Sequence, residues 1–188
     1  KYKGKVTTYD VEKSGVGFML ITQDSKQDPK FWDMARALGS VGPRFQSSAG
    51  TMMERISSGE NLLGFNIFGS YALLRAKKDP SIGIVYPKDY TLVMSRVLFI
   101  GKNAKNPNAA KLWTDYILST RGQKLIGSDV ELFAIRTDVD AEYTAASLNK
   151  QLGNNVKPIP VSSEIVTYLD PKKRLEFLGS WKTALGGK

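Results

Sequence analysis

The chain of 188 residues contains no cysteine and no histidine. The first absence excludes disulfides, thiolate nucleophiles and cysteine-bound metal centres. The second removes the usual acid–base group near neutral pH and the commonest transition-metal ligand. Carboxylates do not make up the loss. Glu54 and Glu60 have no second acidic partner nearby in sequence, so no glycosidase-type pair is read. Ser14 and Ser48 lack a histidine base, and nothing in the sequence singles out Lys13 or Lys88 as a substitute,. The chain is therefore expected not to be an enzyme and to carry no cofactor. Long apolar runs are also missing, with nothing near the roughly 20 residues that a membrane-spanning helix requires. The opening KYKGKVTTYD has neither an initiator Met nor an apolar leader, so a processed protein or a cut fragment is expected.

What is present is a 41% hydrophobic composition, enough for one medium domain or two small lobes. The net charge is +9. Thirteen basic and nine acidic residues precede Thr91-Leu92 or fall within it, and fourteen basic and nine acidic follow. The excess is spread evenly, Lys172-Lys173-Arg174 being the one tight cluster, and no nucleic-acid-binding motif accompanies it,. No nucleic-acid partner is expected. An anionic small ligand suits the mild basicity without being required by it.

Along the chain, strand-like and helix-like signals alternate. GKVTTY at Gly4–Tyr9, LLGFNIF at Leu62–Phe68 and IGIVY at Ile82–Tyr86 are β-prone, and TLVMSRVLFI at Thr91–Ile100 is a longer such run. Helical spacing appears over Phe31–Leu38, Thr51–Ser58, Tyr71–Lys78 and Pro171–Leu185,. Phe133–Ile135 reads as a further short strand. Between Asn103 and Gly127, Asn106-Pro107 supplies a cap with proline in the first turn. Ala109, Leu112, Trp113, Tyr116 and Ile117 then form one apolar stripe, and Arg121 and Lys124 fall where a helix ends negative,. Strands separated by helices predict an α/β sheet with crossover connections.

Three turns combine glycine with small hydroxyl residues where a strand hands over to a helix: Ser14-Gly15, Ser48 to Thr51, and Gly69-Ser70. Helix N-termini present unpaired N–H groups and partial positive charge, which suit carboxylates, phosphates and other oxygen-rich ligands. In open α/β sheets such turns gather at the carboxyl ends of the strands. Ser, Thr and Gly are equally ordinary cap and turn formers, and both readings stay open. Asn66, inside an apolar run, needs hydrogen-bond partners that either a ligand or a neighbouring loop would supply. Tyr71, Tyr86 and Tyr90 are the candidate phenolate ligands for a hard metal, but no acidic cluster supports them and no metal site is assigned.

Several segments together resemble a known family. GKVTTYDVEKSGVGF is similar to the opening of the second lobe in type II solute-binding proteins of ABC transporters, the clade that includes ferric-iron binders. SAGTMMERISSGENLLGF resembles the segment that follows there, and NAKNPNAAKLWTDYILSTRGQ resembles its "NP-x-AAK … LLS-x-x-GQ" stretch. The resemblance implies a type II periplasmic-binding-protein-like α/β fold, with one complete lobe plus part of the other. Residues 1–92 would form the second ligand-binding lobe, and 93–188 the return crossing and C-terminal helices of the first. An N-terminal segment of the same protein would complete that lobe, leaving Trp113, Tyr116 and Ile117 exposed without it. The implied function is to bind a small solute for an ABC importer, with the permease as partner and a periplasmic or extracellular location. The clade's iron binders carry adjacent tyrosines where this chain reads Phe68-Gly69-Ser70-Tyr71. An organic anion, a phosphate-bearing compound or a polyol is therefore expected, with tyrosinate-bound ferric iron as the alternative. Ser14, Gly15, Ser48, Thr51, Asn66, Ser70 and Tyr71 are the expected ligand contacts.

Overall fold

The computed structural model describes residues 1–130 and 132–187, which divide into two compact units. The first comprises Lys1–Ile84 together with the C-terminal segment from Ile159, and the second comprises Val85–Pro158.

In the first unit, β1 (Val6–Tyr9) is the central strand of a parallel sheet ordered β2-β1-β3, with β2 at Arg44–Gln46 and β3 at Leu63–Gly64. Thr7, Thr8 and Tyr9 stand opposite Arg44, Phe45 and Gln46, while Val6 and Thr7 stand opposite Leu63 and Gly64. Parallel strands need crossovers. Helices α1 (Gly15–Gln27) and α2 (Phe31–Ser40) connect β1 to β2, and α3 (Ala49–Ser57) connects β2 to β3. These two crossovers run in opposite directions across the sheet. With the right-handed sense such connections take, their helices cover opposite faces. That is why all four residues of β1 are buried. Helix α4 (Gly69–Lys78) follows β3.

The core of this unit is aromatic. Phe18 of α1, Phe31 of α2 and Phe177 and Trp181 of α8 (Pro171–Ala184) pack with Val6, Ile21 and Leu38. Phe31 lies between Phe177 and Trp181, at ring-centroid distances of 6.4 and 5.9 Å. Phe177 and Trp181 are 7% and 2% exposed, packed among the aromatics of α1 and α2.

The second unit pairs β4 (Thr91–Val93) with β5 (Val156–Pro158) in parallel and carries α5 (Pro107–Leu118), α6 (Thr120–Ser128) and α7 (Ala145–Leu152). The single long helix read over Asn106–Lys124 is two. Ser119, at φ −67° and ψ 160°, ends α5 and caps α6 by accepting from the Gly122 N–H. Arg121 and Lys124 consequently lie in α6 and not at the end of α5. Asn106 precedes Pro107 as expected but makes no side-chain cap bond. Phe133–Ile135 contributes an isolated bridge from Ala134 to Thr144 where a strand is expected.

Candidate functional site

At the carboxyl edge of β2-β1-β3 each strand leads into a helix N-terminus. After Tyr9, the Asp10 N–H donates to the Gln46 carbonyl at 2.8 Å. The Asp10 carboxylate accepts from the N–H groups of Glu12 and Lys13 at 3.0 and 3.3 Å, which bends the chain toward α1,. Ser14 then caps α1, its buried hydroxyl accepting from the Gly17 N–H at 3.1 Å. Gly15 is exposed at the first helical position. Gly17 has a packing reason: a β-carbon there would sit 2.3 Å from that of Tyr9. Only a residue without one lets α1 lie this close to the strand.

At the second turn, Ser48 caps α3 by accepting from the Thr51 N–H at 3.2 Å, and its hydroxyl lies 3.0 Å from that of Thr51. Ser48 is exposed and Thr51 half-buried, so both hydroxyls border solvent. At the third turn, the Phe65 N–H continues the β3 pairing to the Thr7 carbonyl at 2.9 Å. Thr8 Oγ1 donates to the Phe65 carbonyl at 3.2 Å. Phe68 occupies the cap position of α4 and offers no side-chain acceptor. Ser70 accordingly lies inside the first turn, half-buried, and not at the cap the sequence suggests. Tyr71 is 42% exposed beside Phe68, their rings edge to face at 6.0 Å.

Tyr9 is a residue that the sequence pattern did not single out. Only 4% exposed, its phenol is pushed up to about 12, first by burial, against the hydrogen bond from the Phe68 backbone, with Tyr71 adding to the rise,. Asn66 is expected within a buried strand. It instead lies beyond β3, half-buried, at φ 60°, and its Nδ2 donates to Asp24 Oδ2 of α1 at 2.6 Å. The strand is shorter than its apolar run because, after the Phe65 N–H pairs with Thr7, Asn66 at φ 60° takes the chain out of extended geometry.

The fold thus brings Ser14, Gly15, Ser48, Thr51, Ser70 and Tyr71 to the helix starts along one sheet edge. Asn66 lies in the loop behind the third of them. The edge offers hydroxyls and helix-end N–H groups, a set that suits oxygen-rich or anionic small molecules. Among the described residues, no group of three or more Asp or Glu is placed to hold a metal ion. Tyr86 and Tyr90 belong to the second unit, and burial raises the Tyr86 phenol, with a smaller effect of Tyr143. A concavity of about 610 Å³ in the first unit is lined by Trp32, Arg36, Glu176 and Ser180 of α2 and α8, apart from the three turns. Among the described residues no helix is long and apolar enough to cross a membrane.

Residues 1–151 match the family model described as bacterial extracellular solute-binding protein. The chain belongs to that family. This solute-binding protein is similar to a solved structure, the substrate binding protein of the ABC transporter from Agrobacterium tumefaciens, at 36% identity and a TM-score of 0.90. The likeness covers 98% of this chain and 55% of the other, so the solute-binding chain spans about half the length of that relative. No curated protein matches it. The fold is the periplasmic-binding-protein-like α/β arrangement expected from the sequence, present in part. Both the family and the neighbour are solute-binding proteins, not enzymes.

Proposed function

We propose that the chain is part of the substrate-binding component of an ABC importer, holding a small oxygen-rich solute at the carboxyl edge of β2-β1-β3. Residues 1–92 then correspond to the second ligand-binding lobe, which closes on the solute with the first. The observation that carries this reading is the convergence of three strand-to-helix turns on one edge, each helix start bearing a serine at Ser14, Ser48 or Ser70. Ser14, Ser48, Thr51, Asn66, Ser70 and Tyr71 contribute side-chain contacts, and Gly15 leaves backbone N–H approach open. An organic anion, a phosphate-bearing compound or a polyol fits these groups, since each accepts or exchanges hydrogen bonds without a metal. The partners that follow are the solute and an ABC permease, the location is periplasmic or extracellular, and the remaining length of the protein supplies the rest of the first lobe.

The test is a thermal-melt panel on the full-length protein with inorganic phosphate, citrate, glycerol phosphate and sorbitol. At least one compound raises Tm, since a ligand at a hundred times its Kd stabilises by about 2.7 kcal/mol. Ser48→Ala with Thr51→Ala removes that rise. No shift at millimolar concentration overturns the reading. Tyrosinate-bound ferric iron is less well supported, because among the described residues no group of three or more carboxylates is placed to complete a metal site beside Tyr71,. A visible phenolate-to-iron band after ferric loading, lost in Tyr71→Phe, would restore it.

A further inference from the structure

We propose that Asp24 is a positioning residue for the third turn: it holds Asn66 in its left-handed conformation and so fixes the loop that aims the first turn of α4. The meaning of this for recognition rests on the proposed function, but the brace itself stands on geometry.

Two local penalties meet at one hydrogen bond. Among the described residues, Asn66 is the one non-glycine with positive φ. Asparagine tolerates that region better than most, yet the conformation still needs support from its surroundings. Asp24 is 4% exposed and lies in the last turn of α1. A carboxylate there faces the negative end of its own helix and is withdrawn from water, so it too needs a specific partner. The 2.6 Å contact from Asn66 Nδ2 to Asp24 Oδ2 ties the strained residue to this buried carboxylate, as one of the carboxylate's partners. Where a sequence breaks two local rules in one place, positioning at a site is the expected reason.

The rest of the loop is braced from β1. Thr8 holds the Phe65 carbonyl, the Thr7 carbonyl holds the Phe65 N–H, and the Tyr9 hydroxyl accepts from the Phe68 N–H. Asn66 is the point at which α1 joins in. Helix α1 therefore serves two turns, presenting Ser14 and Gly15 at its start and fixing the approach to Ser70 and Tyr71 through Asp24.

Hydrogen exchange read by mass spectrometry on the full-length protein tests the brace. Asn66→Asp sets two carboxylates against each other, and residues 65–71 exchange at least about tenfold faster while α2 and α8 keep their protection. Adding Asp24→Asn re-forms the bond with donor and acceptor exchanged, since aspartate also tolerates the left-handed region, and returns exchange to within about twofold of the parent. Should Asn66→Asp not fold, Asp24→Ala, which removes the acceptor and adds no volume, reads the same comparison. Unchanged exchange in 65–71, a uniform rise reaching α2 and α8, or failure of the exchanged pair to restore protection each overturns the proposal. An empty solute panel with this exchange pattern intact overturns the proposed function and leaves the brace standing.

Discussion

A methyl group at Gly17 would have to occupy the same space as the Tyr9 side chain, whose β-carbon and γ-carbon lie 2.3 and 2.9 Å from the position it would take. Both residues are buried, so neither gives way cheaply,. Gly17→Ala should destabilise the first unit by about 1–3 kcal/mol, the usual range for overpacking, read as a lower denaturation midpoint with unchanged slope. Tyr9 itself makes stability depend on alkaline pH. Its folded pKa of about 12 lies above the ordinary phenol value of 10.0. The folded state therefore binds the proton more tightly, and the contribution is complete below pH 10 and lost as pH rises through 12. Stability measured by denaturation should decline across that window, and Tyr9→Phe should flatten the decline. Ser14 and Ser48 were legible as caps because a cap is written in neighbouring residues. Tyr9 and Asp24 were not, because their partners Phe68 and Asn66 are distant in sequence and are met only after the sheet has formed.

Elements differ in how far local pattern decides them. Helices α2, α3, α4 and α8 lie close to where apolar spacing puts them, since a helix satisfies its own backbone. Strands need partners. Ile82–Tyr86 has a strand's composition but joins no ladder among the described residues, and of Thr91–Ile100 only Thr91–Val93 pairs. The break between α5 and α6 was hidden for another reason. Serine and glycine occur inside helices, but at Gly122 a β-carbon would lie 2.1 Å from the Tyr116 carbonyl oxygen, so the sharp turn depends on that glycine. Gln123, 4% exposed, then secures the turn, donating through Nε2 to the Ile117 carbonyl at 2.9 Å and accepting from the Ile135 N–H at 2.8 Å. Gln123→Ala leaves both backbone groups without their partner, at about 1–3 kcal/mol each if they stay buried. Faster amide exchange at Ile135 would register it, and unchanged exchange there would show that another group satisfies that N–H.

For the molecule as a whole, the second unit leaves an unusual amount of apolar surface in water. Leu112 and Trp113 on α5 are 71% and 58% exposed, and Val97 and Phe99 are 63% and 81% exposed. Helix α5 has no buried residue among its twelve. Apolar surface on this scale associates. The chain as it stands should therefore self-associate with rising concentration in sedimentation experiments, and Leu112→Lys with Phe99→Ser should keep it monomeric. Trp113 emission should be quenched by iodide while that of Trp181, 2% exposed, is not. The solute's identity was not legible at any scale, because serine, threonine and helix-end N–H groups supply hydrogen-bonding capacity that many small molecules satisfy equally.

The first unit takes its sheet from the beginning of the chain and Phe177 and Trp181 from the end, with the second unit inserted between them. Synthesis runs in one direction, and domains ordinarily fold as they emerge. Here Phe18, Phe31 and Val6 are made early but have to wait for α8. A nascent chain stopped at Pro158 would carry every strand and every site residue, yet leave its aromatic face open. Helix α8, made after the second unit, sets when the aromatic core of the first unit can close.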